Sequence, residues 1–179
     1  YQVFGILSLC ICVLVFFLYQ PALRAAFVSD DFYLWKVVRD LSLQETYRLF
    51  LPANLGGISI VKYTGHQAPL SAWFIWFNTV PLGMNPYSGH LISLLLHFTA
   101  IAAVAKLTHL LTKEKKITLL AALIFGTFPY ISQSVHFMSA ILFPLGTIFY
   151  LMTLATQILY IQQRKPIWLI FHFISFYYS

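Results

Sequence analysis

From Tyr87 to Leu111 the chain carries a single charged residue, Lys106. At about 1.5 Å per residue, a helix of this length exceeds the roughly 30 Å hydrocarbon core of a bilayer. Its surroundings have the same character. The chain is 60% hydrophobic and 9% charged, with a mean hydropathy of +0.78. A soluble domain carries about 25% charged residues. The expected class is an all-α, polytopic membrane helical bundle, because in lipid a helix satisfies its own backbone hydrogen bonds.

The pattern predicts one membrane domain over 1–179, read as a fragment because it starts at Tyr1 and stops inside an apolar run. A first span is expected at 3–20. A signal peptide is the alternative, but the run is long for one and lacks a small-x-small cleavage site. Residues 25–86 form a long outer loop with interfacial helices near 32–50 and 69–80. In the first of these, Leu34, Val37, Val38 and Leu41 share a face opposite Lys36, Arg39 and Asp40. The second is apolar and aromatic but, at roughly 18 Å, too short to span comfortably. Further spans are predicted at 87–111, 117–131 and 139–161, with a truncated fifth beginning at 167–179. Cys10 and Cys12, two apart in the first span, read as apolar fillers.

The +6 net charge gathers in part at helix ends. Lys113, Lys115 and Lys116 follow one span, and Arg164 and Lys165 another. The positive-inside rule places both turns in the cytoplasm. Residues 25–86 and the polar stretch Ser132-Gln133-Ser134 with His136 then lie on the outer face. No basic stripe with interleaved aromatics is present, so nucleic acid is not an expected partner.

Against this apolar background stands Asp30-Asp31, two of only five acidic residues. Adjacent carboxylates repel each other and are costly to desolvate near a bilayer. The pair reads either as a cap for the following helix or as a general base facing a substrate held in lipid. His90, Ser93 and His97 fall at i, i+3 and i+7, a polar stripe on one helix face. It reads as interhelical hydrogen bonding or as a wall of a substrate cavity. The two histidines are roughly 10 Å apart along the axis, too far to share a metal ion.

Several segments together resemble the GT-C class of lipid-sugar-dependent glycosyltransferases. The nearest groups are the protein O-mannosyltransferase-like and transmembrane/tetratricopeptide mannosyltransferases. The carrying segments are FVSDDFYLW after the first span, HQAPLSAWFIWFN, the turn Gly83-Met84-Asn85-Pro86, the helix Gly89-His90-Leu91-Ile92-Ser93-Leu94-Leu95-Leu96-His97, and AALIFGTFPYISQSVHFMSA. The resemblance implies a GT-C-like bundle that moves a sugar from a polyprenyl-phosphate donor to a protein or glycan hydroxyl on the extracytoplasmic side, with inversion. It puts Asp30, and next Asp31, in the place of the catalytic base. The family's Arg before Pro-Leu is here replaced by the run His66-Gln67-Ala68-Pro69-Leu70. Lys62 and His66 are then the local candidates for the lipid phosphate, joined by Gln67, His90, Gln133 and His136 as substrate-binding candidates. No cofactor is required by this reading, and a divalent cation at the acid pair stays open. Membrane lipid and membrane-complex subunits are the remaining expected partners. A prokaryotic plasma membrane is favoured over endoplasmic reticulum, because the outer loops hold no N-x-S/T acceptor. A non-catalytic scaffold subunit with a degenerate GT-C-like fold is the alternative. A transporter ranks last, since the spans contain no acidic residue.

Overall fold

The computed structural model describes residues 2–28, 30–51, 55–58 and 69–178. Among them every regular element is helical. Three helical stretches are long and apolar enough to cross a membrane: Gly5–Arg24, Pro86–Thr112 and Met138–Gln163. The protein is thus an all-helical chain with the makings of a membrane bundle.

Helix α1 is Gln2–Tyr19. Pro21 removes a backbone donor, and the chain tightens into a 3₁₀ turn, Gln20–Arg24. Helix α2, Asp31–Val38, is short. The interfacial helix expected near 32–50 is in fact broken. After α2 the chain turns and resumes as a 3₁₀ segment, Leu43–Phe50. The break lies at Ser42, where the Glu45 carboxylate accepts from the Ser42 amide at 3.0 Å and the Ser42 hydroxyl at 2.7 Å. A residue that caps a new helix has extended backbone and cannot continue the old one.

Helix α3, Pro69–Thr79, buries Ala72, Ile75 and Trp76 against Val38 and Leu49. The Trp76 indole donates to the Leu41 carbonyl at 2.8 Å. The following turn holds Gly83 at φ +66° and Met84 at φ +56°. Asn78, 1% exposed, fixes it. Its side-chain amide donates to the Asn85 carbonyl at 3.1 Å and the Ser88 hydroxyl at 2.7 Å, while its backbone carbonyl accepts from the Met84 amide. Asn85 then caps helix α4, Pro86–Thr112, by accepting from the Tyr87 amide.

Helix α5 is Lys115–Thr127, about 20 Å long and by itself short of the bilayer core. Phe128 precedes Pro129 and takes the extended backbone that position favours. Short turns follow over Pro129–Ser132, Gln133–His136 (α6) and Met138–Ile141. Helices α7, Leu142–Gln163, and α8, Pro166–Tyr178, complete the described chain.

Contacts fix the directions. Gly89 lies against Met138 and Phe27, and Gly126 against Val15 and Ile101. The start of α4, the start of the Met138–Gln163 span and the loop after α1 therefore share one end of the bundle. The two basic turns share the other end. Each uses a basic residue in left-handed backbone to close a helix: Lys113 at φ +58° and Arg164 at φ +55°. Two apolar clusters hold the bundle. One joins α2, the 43–50 turn, α3 and the start of α7; the other joins α1, α4, α5 and Val135. Side chains such as Phe17, Leu95, Phe143 and Phe173 face outward, as lipid-facing positions do, since acyl chains solvate apolar groups as well as a protein core does. Cys10 and Cys12 are exposed on α1.

Candidate functional site

The acid pair divides. Asp31 is 5% exposed. One of its carboxylate oxygens accepts the Val28 amide at 3.0 Å, and the other accepts the Ser139 amide at 2.7 Å. Asp30, immediately before it, is exposed. A buried carboxylate is tolerated when charge-assisted hydrogen bonds replace its water. Asp31 has two such bonds, one local and one to the distant segment ahead of α7. The loop after α1 and the loop before α7 are thereby held together.

The segment ahead of the Met138–Gln163 span supplies Gln133, which is exposed, and His136, which is half-buried. The His136 Nδ1–H donates to the Ser132 carbonyl at 2.8 Å, which orients the ring. Asp30, Gln133 and His136 thus belong to the end of the bundle opposite the basic turns. Lys62, His66 and Gln67 lie outside the described residues.

His90 sits elsewhere than on an open cavity wall. It is fully buried, and its Nδ1–H donates to the Val135 carbonyl at 3.2 Å. His97, 1% exposed, donates from Nε2 to the Gly126 carbonyl, also at 3.2 Å. A carbonyl only accepts, so each ring carries its proton on the bonded nitrogen. Both acceptors are among the last carbonyls of short helices, which have no partner within their own helix. The two histidines of the stripe on α4 therefore act as interhelical bolts, the use polar side chains commonly find in membrane bundles. Tyr19 strengthens the same junction. Its hydroxyl donates to the Phe128 carbonyl at 3.4 Å, and its ring meets His97 edge-on at 5.0 Å. His172 repeats the arrangement between α8 and α7, donating to the Thr153 carbonyl.

Two participants were not among the sequence candidates. Ser139 contributes its backbone amide, which no side-chain pattern announces. Asn78 could have been suspected as a polar residue inside the aromatic run of α3. Among the described residues no three His, Cys, Asp or Glu side chains gather as a metal-binding group. No family model, no curated protein and no solved structure matches the chain significantly.

Proposed function

We propose that this chain is the membrane domain of a glycosyltransferase working on the extracytoplasmic face. It moves a sugar from a polyprenyl-phosphate donor to an acceptor hydroxyl of a protein or glycan. The observation that carries this reading is the division of labour within the acid pair. Asp31 is buried with both oxygens engaged by backbone amides. Asp30 is left exposed at the end of the bundle opposite the basic turns. The GT-C-like order of motifs supplies the chemistry.

In that chemistry the Asp30 carboxylate takes the proton from the acceptor hydroxyl as its oxygen attacks the anomeric carbon. The bond from that carbon to the phosphate oxygen breaks. The electron pair leaves with the polyprenyl phosphate, and the configuration inverts. Gln133 and His136 offer hydrogen bonds to sugar hydroxyls, and Lys62 and His66 offer charge to the phosphate. The reaction so written needs no cofactor, and a prokaryotic plasma membrane fits the absence of glycosylation acceptors in the outer loops.

The test is transfer from polyprenyl-phosphate sugars by the full-length protein in bilayers. Asp30→Asn should lower kcat by about 10²–10⁴-fold and leave donor binding and stability unchanged. A well-folded wild type that transfers no sugar from any donor would sink the enzyme reading. The engagement of Asp31 by backbone amides outside α2 favours the second reading, a scaffold subunit in which the buried carboxylate only ties the loop after α1 to the segment ahead of α7. On that reading Asp30→Asn changes neither transfer nor the assembly of any complex.

A further inference from the structure

Three buried polar atoms on α4 have no hydrogen-bond partner among the described residues: His90 Nε2, Ser93 Oγ and His97 Nδ1. Their residues are 0%, 0% and 1% exposed. Steps of three and four residues stack them on one helix face. Their chemistry is fixed by what the two rings already do. Each imidazole spends one N–H on a backbone carbonyl, so in its neutral form each ring presents a lone pair on its other nitrogen. The seam therefore contains two acceptors and one hydroxyl. A hydroxyl has one proton to give, and it can serve only one of the two lone pairs. The other needs a donor that the described side chains do not provide. An unmet polar group of this kind is costly in a protein interior, and lipid offers no relief.

We propose that this seam is a binding site for at least one ordered water, which donates to the imidazole lone pair that Ser93 leaves unmet. Water has the required valence, because it donates to the ring and accepts from or donates to the neighbouring hydroxyl. Internal waters characteristically join about three such groups. An apolar ligand would leave the count unbalanced, and a metal ion is excluded by the axial separation of the two rings, roughly 10 Å. The site is independent of the glycosyltransferase reading. It begins directly beneath the outer loops, where the His90 ring lies 5.9 Å from that of Phe27, and ends beside the Tyr19–His97 contact.

The experiment is solid-state NMR on the full chain in phosphatidylcholine vesicles with ¹⁵N-labelled histidine and ¹³C-methyl-labelled valine, following magnetisation transferred from water. The Val15 methyls, 0% exposed at a three-helix contact, are the dry reference. The expected result is one protonated and one hydrogen-bonded, unprotonated nitrogen in each ring, with a water cross-peak at His90 or His97 and none at Val15. Ser93→Ala removes the internal donor, and a water cross-peak should then be present at both rings. If that variant fails to fold, the wild-type spectrum alone decides. Two dry rings in folded wild type, or either ring carrying protons on both nitrogens, would overturn the proposal.

Discussion

The Asp31 carboxylate accepts the Ser139 amide at 2.7 Å across 108 positions of sequence. Through this bond the entry to α2 and the entry to the Met138–Gln163 span behave as one structural unit. The candidate base, Asp30, is carried on that unit.

Removing the carboxylate should loosen it. Asp31→Ala leaves the Val28 and Ser139 amides without their acceptor in a part-buried site. Hydrogen bonds to charged groups contribute about 1.5–3 kcal/mol each; with Val28 exposed, the loss of both should cost about 3 kcal/mol, the low end of their sum. Asp31→Asn retains one acceptor oxygen and should lose less. Denaturant unfolding in detergent measures both. Equal stability of Asp31→Ala and wild type would show that the bond contributes nothing.

His97 and Tyr19 meet the carbonyls freed where α5 ends, and their substitutions should differ in size. His97→Phe keeps the ring packing but strands the Gly126 carbonyl, at a cost of about 1–3 kcal/mol. Tyr19→Phe removes only a long hydroxyl bond of 3.4 Å and should cost under about 1 kcal/mol. Thermal unfolding of the two variants side by side reads the ordering.

At Gly126 three helices approach closely. An added Cβ would lie 2.9 Å from Ile101 Cδ1 and 3.0 Å from Val15 Cγ2. The Ile101 methyl is the end of a flexible chain. Alanine is also favoured over glycine in a helix by about 1 kcal/mol. Gly126→Ala should therefore be near neutral. Gly126→Val forces two branched residues together and should cost about 1–3 kcal/mol, which parallel denaturant titrations would resolve.

Hydrogen bonds from the Ser42 amide, then from its hydroxyl, hold the Glu45 carboxyl below the usual range, with Arg48 adding a smaller pull. A depressed folded-state pKa means that the bonds stabilise the fold above the unfolded pKa. Their contribution disappears as pH falls through the folded one. An NMR titration should find Glu45 ionising at lower pH than a free glutamate. Ser42→Ala should raise that pH only part of the way, since the backbone amide, the larger cause, remains.

Much of the architecture could be read from residues alone. Long apolar stretches bounded by Pro21, Lys113 and Arg164 mark three helices long and apolar enough to span, because hydropathy and helix length are local properties. The end of α5 was harder to place. Continuous hydropathy suggests a helix running to 131, but Pro129 forces Phe128 into extended backbone and stops the α-helix at Thr127. The interfacial helix near 32–50 misled for a similar reason: the Ser42–Glu45 interaction is a stop signal hidden inside an amphipathic pattern. At the candidate site, the presence of two carboxylates was plain, but which one would be buried was not. That depends on a backbone amide more than a hundred residues away, and backbone donors leave no trace in sequence. The histidine stripe was legible as a face, whereas its carbonyl partners follow from where short helices happen to end.

The Asp31–Ser139 bond also sets a schedule. A ribosome adding about 5–20 residues per second needs roughly 5–20 s to go from one position to the other. Throughout that interval the carboxylate has lost its eventual long-range partner to the future, and water must stand in for it. The loop after α1 can reach its final form only once Ser139 has been made, so that end of the bundle waits for the segment ahead of α7.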